Sequence, residues 1–252
     1  GSFMKVNDSM WLEETASGLP PVIRVPSVRA TSLEEPKPLG LVWHWTGGPA
    51  RGPAFASALA VEIRTYDKNK DRAASWHVLL AKDGRVIQSI PFDKGSWHVG
   101  RPGRIGGAPS KPADKWDSLA WPGRLYANIN RVTVGVELEN SGRLEKVGDK
   151  FYCWPYWLNP SAPPAERVPD PKVEIPASRT TLVGSVWYDD FPSAQQEAAQ
   201  RLVTALVLRF KWARDVCQYG HIMFDPGRKE DPGPRWLEVL LPKILDGVFG
   251  KP

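Results

Sequence analysis

Leu41-Val42-Trp43-His44-Trp45-Thr46-Gly47-Gly48 is a short apolar run halted by a glycine pair. Its length suits a buried strand and is too short for a helix. His44 then stands near the strand end, where ligand sites of α/β sheets tend to open. Outward from this run, residues 53–66 place Phe55, Leu59, Val61, Ile63 and Tyr66 at amphipathic-helix positions. Ser75 to Leu80 and Arg85 to Ile90 flank Lys82-Asp83-Gly84, and an Asp-Gly turn between apolar runs predicts a hairpin. Arg131 to Asn140 alternates, with Val132, Val134, Val136 and Leu138 on one face and Thr133, Gly135, Glu137 and Glu139 on the other, where Glu139 reads as an ordinary surface glutamate. Ser193, with Gln196 in capping-box position, opens the clearest helix, whose buried stripe is Ala198, Leu202, Ala205, Leu206 and Phe210. A last amphipathic helix from Arg235 carries Trp236, Val239, Leu240 and Ile244.

This order predicts an α/β fold, a single domain with a central mixed β-sheet flanked by helices. The domain is expected over residues 40–248. Residues 1–39 read as an irregular, proline-punctuated arm that begins with Gly1-Ser2-Phe3-Met4, which looks like an expression scar. No charged-then-apolar leader follows it, so no signal peptide is visible. Two proline-rich insertions, at about 101–128 and 141–180, are expected to be long loops, and loops of that length usually serve as lids or walls.

The chain has 252 residues and a formal net charge of +5, with ordinary hydrophobic and charged fractions of 42% and 24%. Those fractions exclude a disordered chain or a fibre. No apolar stretch approaches the ~18 residues of a membrane-spanning helix. A basic surplus suits anionic polymers, either nucleic acid or cell wall. The Lys and Arg residues are scattered rather than clustered with aromatics, so nucleic acid is not an expected partner. Cys153 and Cys217 stand in no paired motif and are read as unlinked thiols, with one bridge not excluded.

The chain has only four histidines: His44, His77, His98 and His221. His221 opens a loop that leads to Asp231, which lies between Lys229 and Pro232-Gly233-Pro234. Two imidazoles and a carboxylate from separate elements suit a zinc site with its fourth position left open. The plainer alternative is a satisfied core histidine and a turn-forming aspartate, since no short spacing such as HExxH is present.

Several motifs occur in order. They are His44-Trp45-Thr46-Gly47-Gly48, Trp76-His77-Val78 leading to Asp83-Gly84, Trp97-His98-Val99-Gly100, Val134-Gly135-Val136-Glu137-Leu138-Glu139-Asn140, and Gly220-His221 with Lys229-Glu230-Asp231-Pro232-Gly233-Pro234. Together they resemble the type 2 N-acetylmuramoyl-L-alanine amidases, which share their fold with the peptidoglycan recognition proteins. The resemblance runs from about Leu41 to about Leu241, broken by the insertions. It implies that His44, His221 and Asp231 bind Zn2+ and that Glu137 and Lys229 complete the catalytic set. The residues are compatible with those roles. A carboxylate at Glu137, beside the side-chain-free Gly135, can move a proton between water and a leaving amine, and an ammonium at Lys229 can stabilise an oxyanion.

The implied activity is zinc-dependent hydrolysis of the amide between N-acetylmuramic acid and L-alanine, a bacteriolytic, cell-wall-degrading reaction in the periplasm or outside the cell. Peptidoglycan is the implied partner. The alternative is a non-catalytic peptidoglycan-binding recognition protein on the same fold. Trp97, His98 and Trp76 are the expected substrate contacts, with His98 donating a hydrogen bond; a loop-fixing role for His98 stays open. Trp76 occupies a position where phage-type members carry a catalytic tyrosine. His77 is assigned to the core. Trp116, Trp121, Trp154 and Trp157 are candidates for sugar-stacking walls.

Overall fold

A computed structural model describes residues 4–48, 74–99, 129–153, 157–225 and 227–252. The helix expected over 53–66, the insertion at 101–128, and Trp116, Trp121 and Trp154 lie outside the described residues. The first apolar run is the strand Gly40–Trp45, buried along nearly its whole length. It lies in a six-stranded sheet ordered Tyr219–Gly220, Gly40–Trp45, Thr133–Leu138, Val78–Leu80, Val86–Gln88 and Ile23–Arg24. The sheet is mixed: only the Val78–Leu80/Val86–Gln88 hairpin is antiparallel, and the other neighbours run parallel. The hairpin turn is the expected one, with Gly84 at φ 87°.

Alternation gives this sheet two different faces. Leu41, Trp43, Val78, Leu80, Val134, Val136 and Leu138 join one core with the helices Ser193–Phe210 and Leu241–Phe249. Trp43 anchors it, stacking on Trp236 at 5.2 Å while its indole N–H donates to the Cys217 carbonyl at 2.8 Å. The opposite face carries Val42, His44, Thr133, Gly135 and Glu137. Lining polar residues along a buried face costs stability unless each finds a partner. That cost is accepted where the site is built.

The segment before residue 40 is less irregular than its prolines suggest. Met4–Val6 and Leu12–Glu14 form a hairpin, Ile23–Arg24 completes the main sheet, and Ala30–Ser32 pairs with Lys94–Ser96. Met4 packs within the main core, where it is 2% exposed.

The 141–180 insertion also departs from expectation. It supplies Arg143–Val147, Lys150–Cys153 and Glu174–Ile175, which join Thr180–Val183 and Val186–Asp189 in a second, antiparallel five-stranded sheet. The prolines Pro160, Pro163, Pro164, Pro169 and Pro171 crowd the connection between two of its strands. The helix cap differs as well. Pro192 takes the cap position, and Gln196 donates to the Phe191 carbonyl at 2.7 Å instead of closing a capping box. Both cysteines are buried free thiols.

A buried polar knot ties the two sheets together. Lys82 Nζ pairs with Asp189 Oδ1 at 3.1 Å and donates to the Asp190 carbonyl at 2.7 Å. Asp189 Oδ2 accepts the Ser141 N–H at 2.8 Å, and Glu139 Oε1 accepts the Lys82 N–H at 3.1 Å. Glu139, expected on an open face, is fully buried, and burial pushes its carboxyl from the usual 4.5 up to about 7. Its proton is therefore held more tightly in the folded chain than in the unfolded one. Such a group contributes most stability below its unfolded value, and that contribution is lost as pH rises through about 7. Glu139→Gln keeps an acceptor for the Lys82 N–H and removes the titration. Its denaturation midpoint is expected to fall less between pH 5 and pH 8 than the wild-type midpoint does, measured by urea unfolding at both pH values.

Candidate metal centre

The site is assembled by strand register. Gly40–Trp45 and Thr133–Leu138 are parallel, with His44 opposite Glu137. On the other side Tyr219 pairs with Val42 and Gly220 with Trp43, so the next residue, His221, arrives beside His44. Three neighbouring strands thus present Glu137, His44 and His221 in a row. Gly220 is needed for the approach, since a Cβ there would lie 2.7 Å from Pro232 Cδ. Asp231 returns to the same place because the loop folds back, its carbonyl accepting the Ile222 N–H at 3.0 Å.

Three electron-rich atoms converge as a result. His44 Nδ1 lies 3.0 Å from His221 Nδ1 and 3.1 Å from Asp231 Oδ2, and His221 Nδ1 lies 3.3 Å from the same oxygen. All three residues are buried. Burial first, then the neighbouring His221, lowers the His44 imidazole to about 4, which keeps it neutral at pH 7. Burial works against ionising Asp231, but its contacts with His221 and His44 hold its carboxyl well below the usual range. Two imidazoles and a carboxylate make a donor set for a divalent cation. The spacing also fits one: zinc bonds of about 2.0–2.1 Å in tetrahedral array separate their ligands by roughly 3.3 Å. Among the described residues this is the one group of its kind.

The triad forms part of a cavity of about 790 Å³ that is also lined by Ser75, Trp76, Trp97, His98, Glu137, Lys229 and Glu230. Glu137 presents its carboxylate here, with Oε2 buried and without a hydrogen-bond partner among the described residues. Burial, reinforced by the Asp231 charge and opposed by Lys229, pushes its carboxyl well above the carboxylate range. Lys229, half-buried, is held in the loop by its N–H bond to the Asp225 carbonyl at 3.0 Å. His44, His221, Asp231, Glu137 and Lys229 therefore border one cavity, with Trp76 and Trp97 as half-buried walls, whereas the wall candidate Trp157 pairs with Pro169 and is not among its lining residues. His98 also lines it, but both its ring nitrogens face protein partners: His44 Nε2 at 2.9 Å and Thr133 Oγ1 at 3.1 Å. His77 is fully buried, bonded to Lys94, Ser96 and Gly135.

Sequence reasoning missed the contribution of the second sheet. A neighbouring cavity of about 780 Å³ shares Trp45, Gly47 and Glu230 with the first and is walled by Arg143, Lys146, Val186 and Trp187. The Tyr188 hydroxyl from that sheet donates to Glu230 Oε1 at 2.6 Å, between Lys229 and Asp231 in the chain. The β-branched and aromatic run Val186-Trp187-Tyr188 was the available signal for a strand there.

A family model described as N-acetylmuramoyl-L-alanine amidase matches residues 34–234. No curated protein matches the chain. Among solved structures, a selenomethionine derivative of AmpD is 21% identical with a TM-score of 0.47, over 90% of this chain and 92% of that one. A mutant endolysin from Bacillus subtilis is 18% identical with a TM-score of 0.47, over 91% and 99%. The N-acetylmuramyl-L-alanine amidase AmiD from E. coli, in complex with an anhydro-N-acetylmuramic acid peptide, is 20% identical with a TM-score of 0.42, over 91% and 61%.

A ligand that binds only the folded state raises its melting temperature. Zinc is therefore expected to bind at one equivalent per chain and to raise the melting temperature of the metal-stripped protein. His221→Ala and Asp231→Ala should each lose both the stoichiometric metal and the thermal shift. A shift that persists in either variant would place the ion elsewhere.

Proposed function

Because the chain belongs to the N-acetylmuramoyl-L-alanine amidase family, we propose that it is a zinc-dependent hydrolase that cuts the peptidoglycan amide between N-acetylmuramic acid and L-alanine. One observation carries this reading: the donor triangle of His44, His221 and Asp231 opens into the same cavity as Glu137 and Lys229. His44, His221 and Asp231 would hold the zinc, which when bound supplies Lewis acidity toward water and the amide carbonyl.

The remaining work belongs to side chains of this protein. Glu137 takes the proton of the attacking water, and its unpartnered, buried oxygen is suited to that task. It then returns the proton to the alanine nitrogen, so that the bond to the lactyl carbonyl breaks with a neutral amine leaving. The Lys229 ammonium meets the negative charge that develops on the carbonyl oxygen. Trp76 and Trp97 shield the cavity walls and orient the substrate. No covalent intermediate with the protein is required. A non-catalytic recognition protein would have no use for an acid–base group and a cation beside the donor triangle, which favours the enzyme.

The adjoining groove supports action on intact wall, in the periplasm or outside the cell. Arg143 and Lys146 stand in it beside Glu145 and Glu230, so the groove offers paired charges and the faces of Trp45 and Trp187 to a wall strand rather than a net positive field.

Two outcomes test this reading. Glu137→Ala is expected to keep one equivalent of zinc while losing at least 100-fold in stem-peptide release from purified sacculi, on the order of a general acid–base contribution. Loss of the metal would instead assign Glu137 to its ligand shell. The double variant Arg143→Ala/Lys146→Ala is expected to slow release from sacculi several-fold more than hydrolysis of a small soluble muropeptide. Equal slowing of both would remove the groove from wall recognition.

A further inference from the structure

His98 lies one step behind the donor triangle, in a chain of hydrogen bonds that runs through the sheet. His44 Nδ1 points at His221 and Asp231, while its Nε2 lies 2.9 Å from His98 Nδ1. His98 Nε2 lies 3.1 Å from Thr133 Oγ1, and the Thr133 hydroxyl donates to the Ile129 carbonyl at 2.8 Å.

Each imidazole nitrogen can donate or accept, so the chain needs a fixed end to acquire a direction. The Ile129 carbonyl supplies that end, because it can only accept. The single Thr133 proton goes to it, and Thr133 Oγ1 becomes an acceptor for an N–H on His98 Nε2. His98 Nδ1 is then a lone pair, and it accepts an N–H from His44 Nε2. His44 Nδ1 is left without a proton, its lone pair directed at His221 Nδ1 and Asp231 Oδ2. His44 Nδ1 and Asp231 Oδ2 then face each other at 3.1 Å as two lone pairs, beside His221 Nδ1 at 3.0 and 3.3 Å, and a cation between them relieves the repulsion.

The surroundings hold this chain in place. Asn130 clamps the His98 backbone: its Oδ1 accepts the His98 and Val99 N–H groups at 2.8 and 2.7 Å, and its Nδ2 donates to the Val99 carbonyl at 2.6 Å. The His98 ring lies against Gly135, where a Cβ would come within 2.5 Å of His98 Cγ. The space left by that glycine is therefore filled by the His98 ring. His221 has no such support among the described residues, since its Nε2 is buried without a partner there.

We infer that Thr133, acting through His98, fixes the tautomer of His44 and so aims its Nδ1 lone pair at the cation site. His98 is a positioning residue, with no ring nitrogen left for substrate. Thr133 and Gly135 serve it from the same strand that carries Glu137. This inference rests on the metal-centre reading but not on the identity of the substrate.

The test uses metal-free, histidine-¹⁵N-labelled protein, whose four histidines give separable long-range ¹H–¹⁵N patterns, together with zinc affinity measured by chelator competition at pH 7. In the wild type, His44 and His98 should both show the Nε2–H tautomer. Thr133→Val keeps the shape and removes the acceptor. It should mix the His44 tautomers and weaken zinc binding about 10–100-fold, the usual effect of losing an outer-shell partner. Thr133→Ser should restore both. His98→Phe, which replaces the ring without its nitrogens, should weaken zinc as Thr133→Val does, and serves where the threonine variant folds poorly. An Nδ1–H tautomer at His44 in the wild type, or wild-type zinc affinity in both Thr133→Val and His98→Phe, would overturn the inference. If His98→Phe kept zinc but raised KM for a muropeptide, His98 would be a substrate contact instead. Zinc affinity and tautomer are read without substrate, so a failure of the amidase assay leaves this result standing, and the reverse also holds.

Discussion

The parallel pairing of Gly40–Trp45 with Thr133–Leu138 and Tyr219–Gly220 is the constraint that everything else obeys. A strand's side chains alternate with a period of two, so a slip of one residue would send His44 into the apolar core and Trp43 into the cavity. The register is held from the apolar face. Leu41, Trp43, Val134, Val136 and Leu138 are all completely buried against the two long helices, and none could be exposed without a large loss. Hydrophobic packing on one side of the sheet thereby sets the positions of the polar atoms on the other. The chemistry is specified by residues that never touch it.

The core of this arrangement was legible because its signals are local. The run 41–48, the Asp83-Gly84 turn and the alternation over 131–140 each declare a strand within a few residues. What stayed hidden depends on partners distant in the chain. Glu139 looked like an open-face residue because Lys82, which buries it, lies on another hairpin. His98 lines the cavity as expected, but nothing near it in sequence announces that its ring nitrogens face His44 and Thr133. Gly135 was seen as a gap beside Glu137, and only the fold shows which ring occupies the gap.

The second sheet was obscured for a different reason. Its strands are short and carry charges at alternate positions, as in Arg143-Leu144-Glu145-Lys146-Val147, so one face is solvated and the apolar signal is thin. The neighbouring prolines dominate the composition and suggest a loop. Leu144, Phe151, Ile175 and Trp187 nevertheless form a small core of their own. The knot around Asp189 fastens it to the main sheet, and Tyr188 reaches from it to the loop that carries Lys229 and Asp231.

Trp45 lies at the border of the two cavities, its indole wedged between Gly142 and Gly233. A Cβ on either glycine would come within 2.9 Å or 2.5 Å of the ring, and both adopt positive φ. The ring is a partition with no slack on either flank. A bulky group threading from one chamber to the next must pass over its rim, because the indole has nowhere to swing aside. The position of a single aromatic edge therefore decides how wide a passage joins the two chambers.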